Sequence, residues 1–196
     1  MNAHSLIDRE QADLFGTAPL AGLRCQDEFL DPDEERELVT RIDDSGLSPF
    51  RFQQWEGKRL TRSFGWNYDF TSGQFARTEE IPDWLKPVRN RAAAYADLAA
   101  DALEQALLIR YDIGAGIGWH RDRPVFEHVV GLSLGAPTVM RFRQRKGDRF
   151  NRSKTLLKPR GIYHLAGEAR HAWEHSIAAI DAPRWSITFR SRANSQ

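Results

Sequence analysis

The feature that most constrains the fold is a run of short strand-like segments in the second half of the chain. From Leu107 onward, segments rich in β-branched and other apolar residues are separated at regular spacing by Gly, Pro, Asn or Asp. They read LLIRYDI, HVVGLSL, TVMRFRQ, SKTLLKP, GIYHLAG, AWEHSIAAI and RWSITFR. Closely spaced strands with turn residues between them predict an antiparallel sandwich or jelly roll. No helix alternates with these strands, which argues against a doubly wound parallel sheet.

Two helix signals lie in the first half of the chain. The first opens at Asp31, a good N-cap residue, with Pro32 directly after it and Glu34 three residues on, which is the pattern of a capping box. The second opens at the segment IPDW and predicts a helix from there to about Leu108. Helices followed by strands indicate an α+β fold that is mainly β.

The length and charge of the chain limit its organisation. Its 196 residues suffice for one domain with a substantial core. We expect residues 1–22 to form an N-terminal arm and residues 23–196 to form a single domain. Lys and Arg number 28 against 27 Asp and Glu, so the formal net charge is +1. Any affinity for nucleic acid must therefore come from local clustering of charge.

The cysteine content and hydropathy bear on location. Cys25 is the only cysteine, so neither an internal disulfide nor a thiolate metal cluster can form within one chain. This usage favours a reducing, cytoplasmic setting. The sequence has no apolar run of about 18 residues, from which we expect no membrane span. It has no apolar stretch behind a basic start either, from which we expect no signal peptide.

A candidate metal site lies in the segment GAGIGWHRDRP. On an extended chain His120 and Asp122 point to the same side, so an imidazole and a carboxylate can hold one ion. For the third ligand we prefer His175, at even spacing from Trp173 within a strand, to His171, which precedes that strand. Two imidazoles and one carboxylate are the ligand set of non-haem Fe(II) oxygenases, and they leave coordination positions open. The alternative is a chance H-x-D, since this pattern alone is common.

The last strand-like segment, RWSITFR, suggests a binding site for an anion. Arg184 and Arg190 are six residues apart, so they share one strand face with Ser186 and Thr188. Two arginines inside a barrel are costly unless they meet anions, and arginine binds carboxylates in bidentate fashion. The pair is therefore predicted to hold a small dicarboxylate at both ends. The alternative is a solvent-exposed basic edge strand.

These segments together resemble the AlkB family of 2-oxoglutarate oxygenases, over roughly residues 20–192. The matching pieces RYDIGAGIGWHRD, GLSLG, GEARHAWEHSI and RWSITFR follow one another in the family's order. The resemblance implies a double-stranded β-helix, which is a jelly roll, with N-terminal helices packed on the outside. It also implies Fe(II) as cofactor, with 2-oxoglutarate and O₂ as cosubstrates.

The resemblance carries the family's site residues onto positions of this chain. The iron ligands correspond to His120, Asp122 and His175. The residues around 2-oxoglutarate correspond to Tyr111, Arg184, Ser186 and Arg190. The segment GKRLTRSFGWNYDF resembles the substrate-side lid, whose residues correspond to Arg59, Phe64, Gly65 and Tyr68.

Three positions depart from the family pattern. Ile109 and Ser186 stand where many members have asparagine, which affects hydrogen bonding to the cosubstrate. Pro124 stands where well-known DNA-repair members carry an acidic residue that contacts the methylated base. The segments GLSLG and GEARHAWEHSI look closer to homologues that act on transfer RNA and to those whose substrates are unsettled. These departures weaken the case for the repair of methyladenine and methylcytosine in DNA.

The resemblance implies oxidative demethylation or hydroxylation of modified nucleic acid, and one basic segment supports that substrate. RFRQRKGDRFNRSK has a single acid, Asp148, among seven basic residues: Arg141, Arg143, Arg145, Lys146, Arg149, Arg152 and Lys154. With Phe142 and Phe150 interleaved, the segment is predicted to contact a phosphate backbone. A solvated basic hairpin is the alternative. The aromatic residues Phe64, Trp66 and Tyr68 either stack on a flipped base or belong to the core.

Other functions remain open at this point. An AlkB-like hydroxylase of a protein side chain or a small molecule is the first alternative, and both Pro124 and the near-zero net charge favour it. A nucleic-acid-binding jelly roll without catalysis would not need the two histidines and the aspartate. A cupin-like metal protein would not explain two arginines on one strand face. Nothing in the sequence indicates an obligate protein partner.

Overall fold

The computed structural model describes residues 20–52, 55–68 and 75–193, with the backbone alone at 51–52, 55–56, 67–68 and 75. The helices are α1 (Pro32–Asp43), α2 (Lys86–Tyr95), which follows a 3₁₀ turn at Asp83–Leu85, and the short α3 (Gly167–His171). The strands are β1 (Leu23–Gln26), β2 (Ser48–Phe52), β3 (Trp55–Phe64), β4 (Trp66–Tyr68), β5 (Phe75–Arg77), β6 (Leu103–Tyr111), β7 (Ile117–His120), β8 (Phe126–Gly135), β9 (Thr138–Lys146), β10 (Arg149–Leu157), β11 (Gly161–Leu165), β12 (Glu174–Ile177) and β13 (Arg184–Arg192). Among these described residues, none of the helices has the length and apolar content needed to cross a bilayer.

The strands form two main antiparallel sheets that pack face to face. The large sheet has the order β1-β11-β8-β13-β6-β3-β2, and the small sheet has the order β10-β9-β12-β7. A two-stranded ribbon, β4–β5, lies beside them. Met140 and Phe142 of the small sheet share one buried cluster with Val129 and Leu165 of the large sheet. This confirms the predicted jelly roll, in which side chains from two sheets meet in a common interior.

Helix α1 begins where the sequence predicts. The Asp31 carboxylate accepts hydrogen bonds from the backbone N–H groups of Asp33 and Glu34, each at 2.8 Å, and the Glu34 side chain accepts from the N–H of Asp31. This capping box satisfies the backbone donors that a helix leaves free at its start. Leu38 and Ile42 are buried on the face that packs against β6 and β8.

The second helix was predicted to end more than three turns too late, and this prediction is wrong. Helix α2 ends at Tyr95, Asp97 adopts a left-handed conformation with φ of 57°, and a strand begins at Leu103. That strand, β6, pairs with β13 on one side and β3 on the other. A strand covered on both faces is apolar along its whole length, so its alternation is lost and it resembles a helical segment in sequence.

Strand β13 lies in the middle of the large sheet, between β8 and β6. Ile187 and Phe189 point to the core that the sheet shares with α1 and α2. Arg184, Ser186, Thr188 and Arg190 point the other way, into a pocket between the two sheets. The predicted division of this strand into an apolar face and an arginine-bearing face is therefore confirmed.

One glycine allows a large ring to enter the space between the sheets. Gly131 of β8 lies directly opposite Tyr163 of β11. A Cβ atom on Gly131 would stand 2.1 Å from Cζ of Tyr163, far inside van der Waals contact. Since no side chain occupies that position, the Tyr163 ring lies across the strand and forms part of the pocket wall.

Candidate active site

Two strands and one loop bring together a histidine–aspartate–histidine group. His120 at the end of β7 lies directly opposite His175 of β12, and their ring centroids are 4.3 Å apart. Asp122 follows β7, with Oδ2 3.5 Å from Nε2 of His175. One ligand atom from each residue lies within 4.8 Å of the others, so the three could hold a single ion. His171 instead ends α3, where Nε2 lies 2.9 Å from the carboxylate of Glu127.

A backbone contact orients His120 for metal binding. Its Nδ1 lies 2.9 Å from the carbonyl oxygen of Gly118, and with the proton on Nδ1 that nitrogen donates the hydrogen bond. The lone pair of Nε2 then remains for an ion, an arrangement typical of histidine ligands. Burial lowers the pKa of His120, although Asp122 opposes this effect. Burial, together with the neighbouring His120, also lowers the pKa of His175 to about 4. Both rings are therefore neutral at pH 7 and able to bind a cation.

Asp122 stays ionised although it is buried. Burial by itself would raise the pKa of its carboxyl group. The Arg190 guanidinium, whose Nε donates to Oδ1 at 2.8 Å, and the two imidazoles more than offset burial, so the pKa lies below its usual value. The carboxylate thus carries its negative charge toward the position where the ligand atoms converge.

Two supporting residues were missed by the sequence analysis. Arg170 of α3 is 3% exposed, and its Nη2 donates to the carbonyl oxygens of Arg123 and Phe126 at 2.5 and 2.6 Å. It thereby ties down the loop that begins at Asp122. The Oε1 atom of Gln105 accepts from Nη1 of Arg190 at 2.8 Å. Gln105 could have been found as a polar residue within an apolar strand, whereas nothing in the local pattern identifies Arg170.

The histidine–aspartate–histidine group belongs to the wall of the pocket between the sheets. Its lining combines six aliphatic or methionine side chains with two tyrosines and seven polar or charged residues. The lining residues are Ile109, Tyr111, Ile117, His120, Asp122, Val129, Met140, Leu157, Tyr163, His175, Ile177, Arg184, Ser186, Thr188 and Arg190. All four residues predicted around the cosubstrate, and Ile109 beside them, therefore line this one pocket.

Arg184 supplies a buried positive charge to the pocket. The residue is 1% exposed, Nη2 donates to the hydroxyl of Ser133 at 3.1 Å, and Cζ lies 4.8 Å from the centroid of the Tyr111 ring. Nε and Nη1 find no hydrogen-bond partner among the described residues. A buried guanidinium with unsatisfied donors is costly, and a carboxylate is the group that best relieves this cost. The pocket therefore fits a carboxylate-bearing molecule such as 2-oxoglutarate.

Arg190 differs from Arg184 in its bonding. Both face the same pocket, as the alternation of the strand predicts. The Nε and Nη1 groups of Arg190 are already bonded to Asp122 and Gln105. The hydrogen bonds of Arg190 thus support the candidate metal site. The buried nitrogen donors of this pocket without a hydrogen-bond partner among the described residues are those of Arg184.

The predicted lid residues have different environments. The Cζ atom of Arg59 lies 3.9 Å from the centroid of the Phe50 ring, and its buried Nε has no partner among the described residues. Burial lowers the pKa of Arg59, and Arg190 adds to this effect. Phe64 is 5% exposed within the large core, which agrees with the second of the two roles predicted for it, and its contact with a substrate stays a prediction. Gly65 makes a turn with φ of 77°. The side chain of Tyr68 lies outside the described part of the chain.

The basic segment forms the hairpin of β9 and β10. Arg141 and Arg143 lie on the outer face of the small sheet and not in the pocket. Phe142 points inward, is fully buried, and has its ring centroid 6.3 Å from that of His175. Its predicted place among the surface arginines is wrong, because side chains of a strand alternate between the faces. Phe150, by contrast, lies on the outer face beside Arg143.

Comparison with known proteins gives the family context of this site. Residues 22–190 match the family model described as 2OG-Fe(II) oxygenase superfamily. The "Alkylated DNA repair protein ALKBH8 homolog" of Arabidopsis thaliana is 28% identical over 88% of this chain and 53% of its own length. The "tRNA (carboxymethyluridine(34)-5-O)-methyltransferase alkbh8" of Xenopus tropicalis is 27% identical over 80% of this chain and 25% of its own length. The chain thus spans about half or less of these relatives.

Solved structures support the same fold. The structure of OsALKBH1 superposes with a TM-score of 0.70 and 17% identity, covering 87% of this chain and 97% of the other. A Pseudomonas putida prolyl-4-hydroxylase superposes with a TM-score of 0.61 and 15% identity, covering 89% and 94%. The family uses Fe(II), 2-oxoglutarate and O₂, to which the metal-binding group and the open donors of Arg184 are suited. The chain belongs to the 2OG-Fe(II) oxygenase superfamily, and within it the chain is similar to AlkB homologues.

Proposed function

We propose that this protein is an Fe(II)- and 2-oxoglutarate-dependent dioxygenase that demethylates or hydroxylates modified nucleic acid. The observation that carries the proposal is a buried arginine with two open donors in the pocket that also holds three metal-binding side chains. A jelly roll that only bound a partner would need neither feature. When bound, the iron supplies the activation of O₂, coupled to the conversion of 2-oxoglutarate to succinate.

Each of these residues has a separate task in the proposal. His120, Asp122 and His175 hold the iron. Arg184 binds a carboxylate of 2-oxoglutarate, since its positive charge is buried and two of its nitrogen donors are without a partner among the described residues. Arg190 keeps Asp122 ionised and directed at the iron. Tyr111 and Ser186 line the cavity and complete the polar contacts to the cosubstrate.

The proposed substrate class rests on the relatives and on local charge. The Arabidopsis relative is described as an alkylated DNA repair protein, and the Xenopus relative as a tRNA methyltransferase. In this chain the hairpin of β9 and β10 gathers basic residues on one surface, although the net charge is only +1. Phosphate contacts of this kind give nucleic-acid binding that does not depend on sequence. A cytoplasmic location, with no obligate protein partner, is part of the same proposal.

The activity is tested by product formation with the purified protein. Succinate and formaldehyde are measured with Fe(II), 2-oxoglutarate and a panel of methylated DNA and RNA oligonucleotides. We expect at least one oligonucleotide to stimulate succinate release and to yield formaldehyde or a hydroxylated base. His120→Ala should reduce both products to background, while His171→Ala, which removes an exposed histidine, should retain them. Activity that survives in His120→Ala would contradict the assignment of the metal ligands.

The cosubstrate site is tested separately by anaerobic titration. The iron-loaded protein should develop a weak visible absorption band when 2-oxoglutarate is added. Arg184→Leu should weaken 2-oxoglutarate binding by at least about 30-fold, because truncating one partner of a buried charged pair costs about 2–5 kcal/mol. Arg110→Leu is the matched control, since Arg110 bonds Asp43 and Asp112 outside the pocket and should leave the titration unchanged. Equal titrations of wild type and Arg184→Leu would contradict the role of Arg184.

A protein side chain or a small molecule is the second candidate substrate. Pro124 favours it, because this exposed residue follows Asp122 where nucleic-acid-repair members of the resembled family have an acid. The same succinate assay decides between the candidates when peptides and small molecules are added to the panel. If only these compounds stimulate succinate release, and no methylated oligonucleotide does, the substrate is a protein side chain or a small molecule and not a nucleic acid.

A further inference from the structure

The outer face of the small sheet presents an ordered set of basic and aromatic side chains. Because Phe142 points inward, its neighbours in β9 point outward, and their cross-strand partners in β10 do the same. Trp119 joins them from β7, since the next residue, His120, points inward. We name this set the basic outer face, and it consists of Trp119, Arg141, Arg143, Arg145, Phe150, Arg152 and Lys154.

Guanidinium groups of the basic outer face lie over its aromatic rings in cation–π contacts. Cζ of Arg143 lies 4.5 Å from the ring centroid of Trp119 and 4.8 Å from that of Phe150. Arg141 covers Trp119 at 5.3 Å, and Arg152 covers Phe150 at 5.8 Å. Guanidinium and aromatic planes therefore alternate from β7 to β10. Such stacking orders the long arginine side chains before any ligand arrives, which lowers the entropic cost of binding.

The charge of this face is strongly positive. Arg143 donates from Nε to the carboxylate of Glu174 at 2.6 Å, so the central arginine is already neutralised. Arg141, Arg145, Arg152 and Lys154 of the same face are exposed to solvent. This local excess occurs in a chain whose total charge is only +1, which concentrates the attraction for a polyanion on one surface.

We propose that the basic outer face binds single-stranded nucleic acid without regard to sequence. Phosphates would meet the exposed basic groups, and unpaired bases would stack on the guanidinium and aromatic planes, which a paired duplex cannot do. The inference rests on the proposed function, because the bound strand is the proposed substrate. An anionic membrane would contact the charged groups but would not stack on the aromatic rings, so binding to lipid vesicles distinguishes it from a single strand.

The position of the face relates it to the candidate active site. Strand β7 is at the edge of the small sheet, with Trp119 on its outer side and His120 on its inner side. A strand of nucleic acid that crosses the face from β10 to β7 thus reaches the edge at which His120 lies. The basic outer face would hold the nucleotides that flank the modified one, while the modified base enters between the sheets.

The proposal is tested by fluorescence anisotropy with a labelled, unmodified oligothymidylate of about 12 nucleotides. Arg141→Glu/Arg145→Glu/Arg152→Glu should lower the affinity at least tenfold relative to wild type. It should also reduce the slope of log affinity against log salt by about 2, since each lost phosphate contact contributes about 0.7 on single strands. The control variant Arg36→Glu/Arg41→Glu/Arg89→Glu makes the same change of charge on α1 and α2 and should bind as wild type does. Equal losses in the two variants would overturn the proposal.

Stacking is tested by Phe150→Leu, which keeps the charge. It should weaken binding of the single strand roughly tenfold, because base stacking on an aromatic ring contributes about 1–3 kcal/mol. Binding of a duplex of the same length should change by less than twofold. Wild-type affinity for the single strand in Phe150→Leu would overturn the proposal, as would tighter binding to vesicles of anionic lipid than to the oligothymidylate. Circular dichroism of each variant verifies that it is folded.

Turnover separates this inference from the proposed function. If the surface feeds the active site, the triple arginine variant should raise the KM of a methylated oligonucleotide substrate at least tenfold. An unchanged KM would overturn the proposed role of the basic outer face while leaving the proposed function intact. If no nucleic acid is oxidised but the single strand is bound as described, the basic outer face is a nucleic-acid-binding surface and the proposed function is wrong.

Discussion

The two sheets are built by the same antiparallel pairing but differ in what covers them. The large sheet is enclosed, with α1 and α2 on one face and the small sheet on the other. Within the described part of the chain, the small sheet is buried on its inner face, and its outer face carries exposed basic residues. The difference is visible in the sequence, because HVVGLSL is apolar except for its histidine and serine, whereas TVMRFRQ alternates between apolar and polar residues from its methionine to its second arginine.

The comparison also separates the tasks of the candidate site. The small sheet and its adjoining loop supply His120, His175 and Asp122, while the large sheet supplies Arg184 and Arg190. The enclosed sheet is suited to holding buried charges, because neighbouring strands fix their partners. The small sheet carries candidate metal ligands on its inner face and exposed basic residues on its outer face. The predictions below test this division.

The largest expected effect concerns stability. Leu132→Ala, in the enclosed sheet, removes a fully buried side chain and should lower the free energy of unfolding by about 2–5 kcal/mol. Leu156→Ala, on the open face of β10 where the side chain is 51% exposed, should cost less than about 0.5 kcal/mol. Urea unfolding followed by circular dichroism measures both. Similar losses for the two variants would show that the open face is covered in solution.

The next effect is a pH dependence in the enclosed sheet. His164 is 5% exposed, and its Nε2 lies 3.0 Å from Nδ1 of His128. Burial, then His128 and Arg24, lower its pKa to about 4, and Asp97 opposes them. Between pH 6.5 and 4 the unfolded state therefore binds a proton that the folded state refuses, so stability falls as pH is lowered through this range. The loss from this residue should be on the order of 2–3 kcal/mol.

The measurement for His164 is urea unfolding of the metal-free protein at several pH values. His164→Gln should lose stability less steeply than wild type between pH 6.5 and 4. Because His120 and His175 titrate in both proteins, only the difference between the two curves reports on His164. Parallel curves would mean that His164 takes up a proton as readily when folded as when unfolded.

A third prediction concerns the contact between the two sheets. Arg190→Leu removes the guanidinium that bonds Asp122 and should weaken Fe(II) binding by about 10–100-fold, the usual cost of losing a group that supports a metal ligand. Isothermal titration with Fe(II) under anaerobic conditions measures it. If Fe(II) affinity is unchanged and only the KM for 2-oxoglutarate rises, both arginines bind the cosubstrate, as the sequence predicted.

The smallest effect lies in the helical layer on the enclosed sheet. Asp31→Ala removes the N-cap of α1 and should cost about 1 kcal/mol of stability. Asp31→Asn retains the acceptor oxygen and should cost less than half as much. Equal losses would show that the charge, and not the hydrogen bonds to Asp33 and Glu34, stabilises the helix start.

Local patterns predicted part of this fold well and part of it badly. The cap of α1 and the division of β13 into two faces depend on neighbours within one segment, and both are as predicted. The end of α2 depends on which strands lie alongside, and that prediction was wrong. The same dependence left Phe64 open between the core and a substrate contact, and the structure buries it in the core. Leu103–Tyr111 forms a strand because β3 and β13 supply hydrogen bonds on both edges, and this overrides the helical tendency of the preceding alanines.

The faces of β13 could be predicted from the sequence, because the period of two in a strand is a local property of the chain, and it places the arginines of RWSITFR on one face. Asp122 lies in the loop after β7, so its position beside His120 depends on the path of that loop. The partners of the arginines follow from the packing of the sheets: Arg190 meets Asp122 and Gln105, whereas Arg184 keeps two donors without a partner among the described residues. These partners are brought together by the register of paired strands and by the packing of one sheet on the other. Both involve segments far apart in the chain, so no local pattern encodes them.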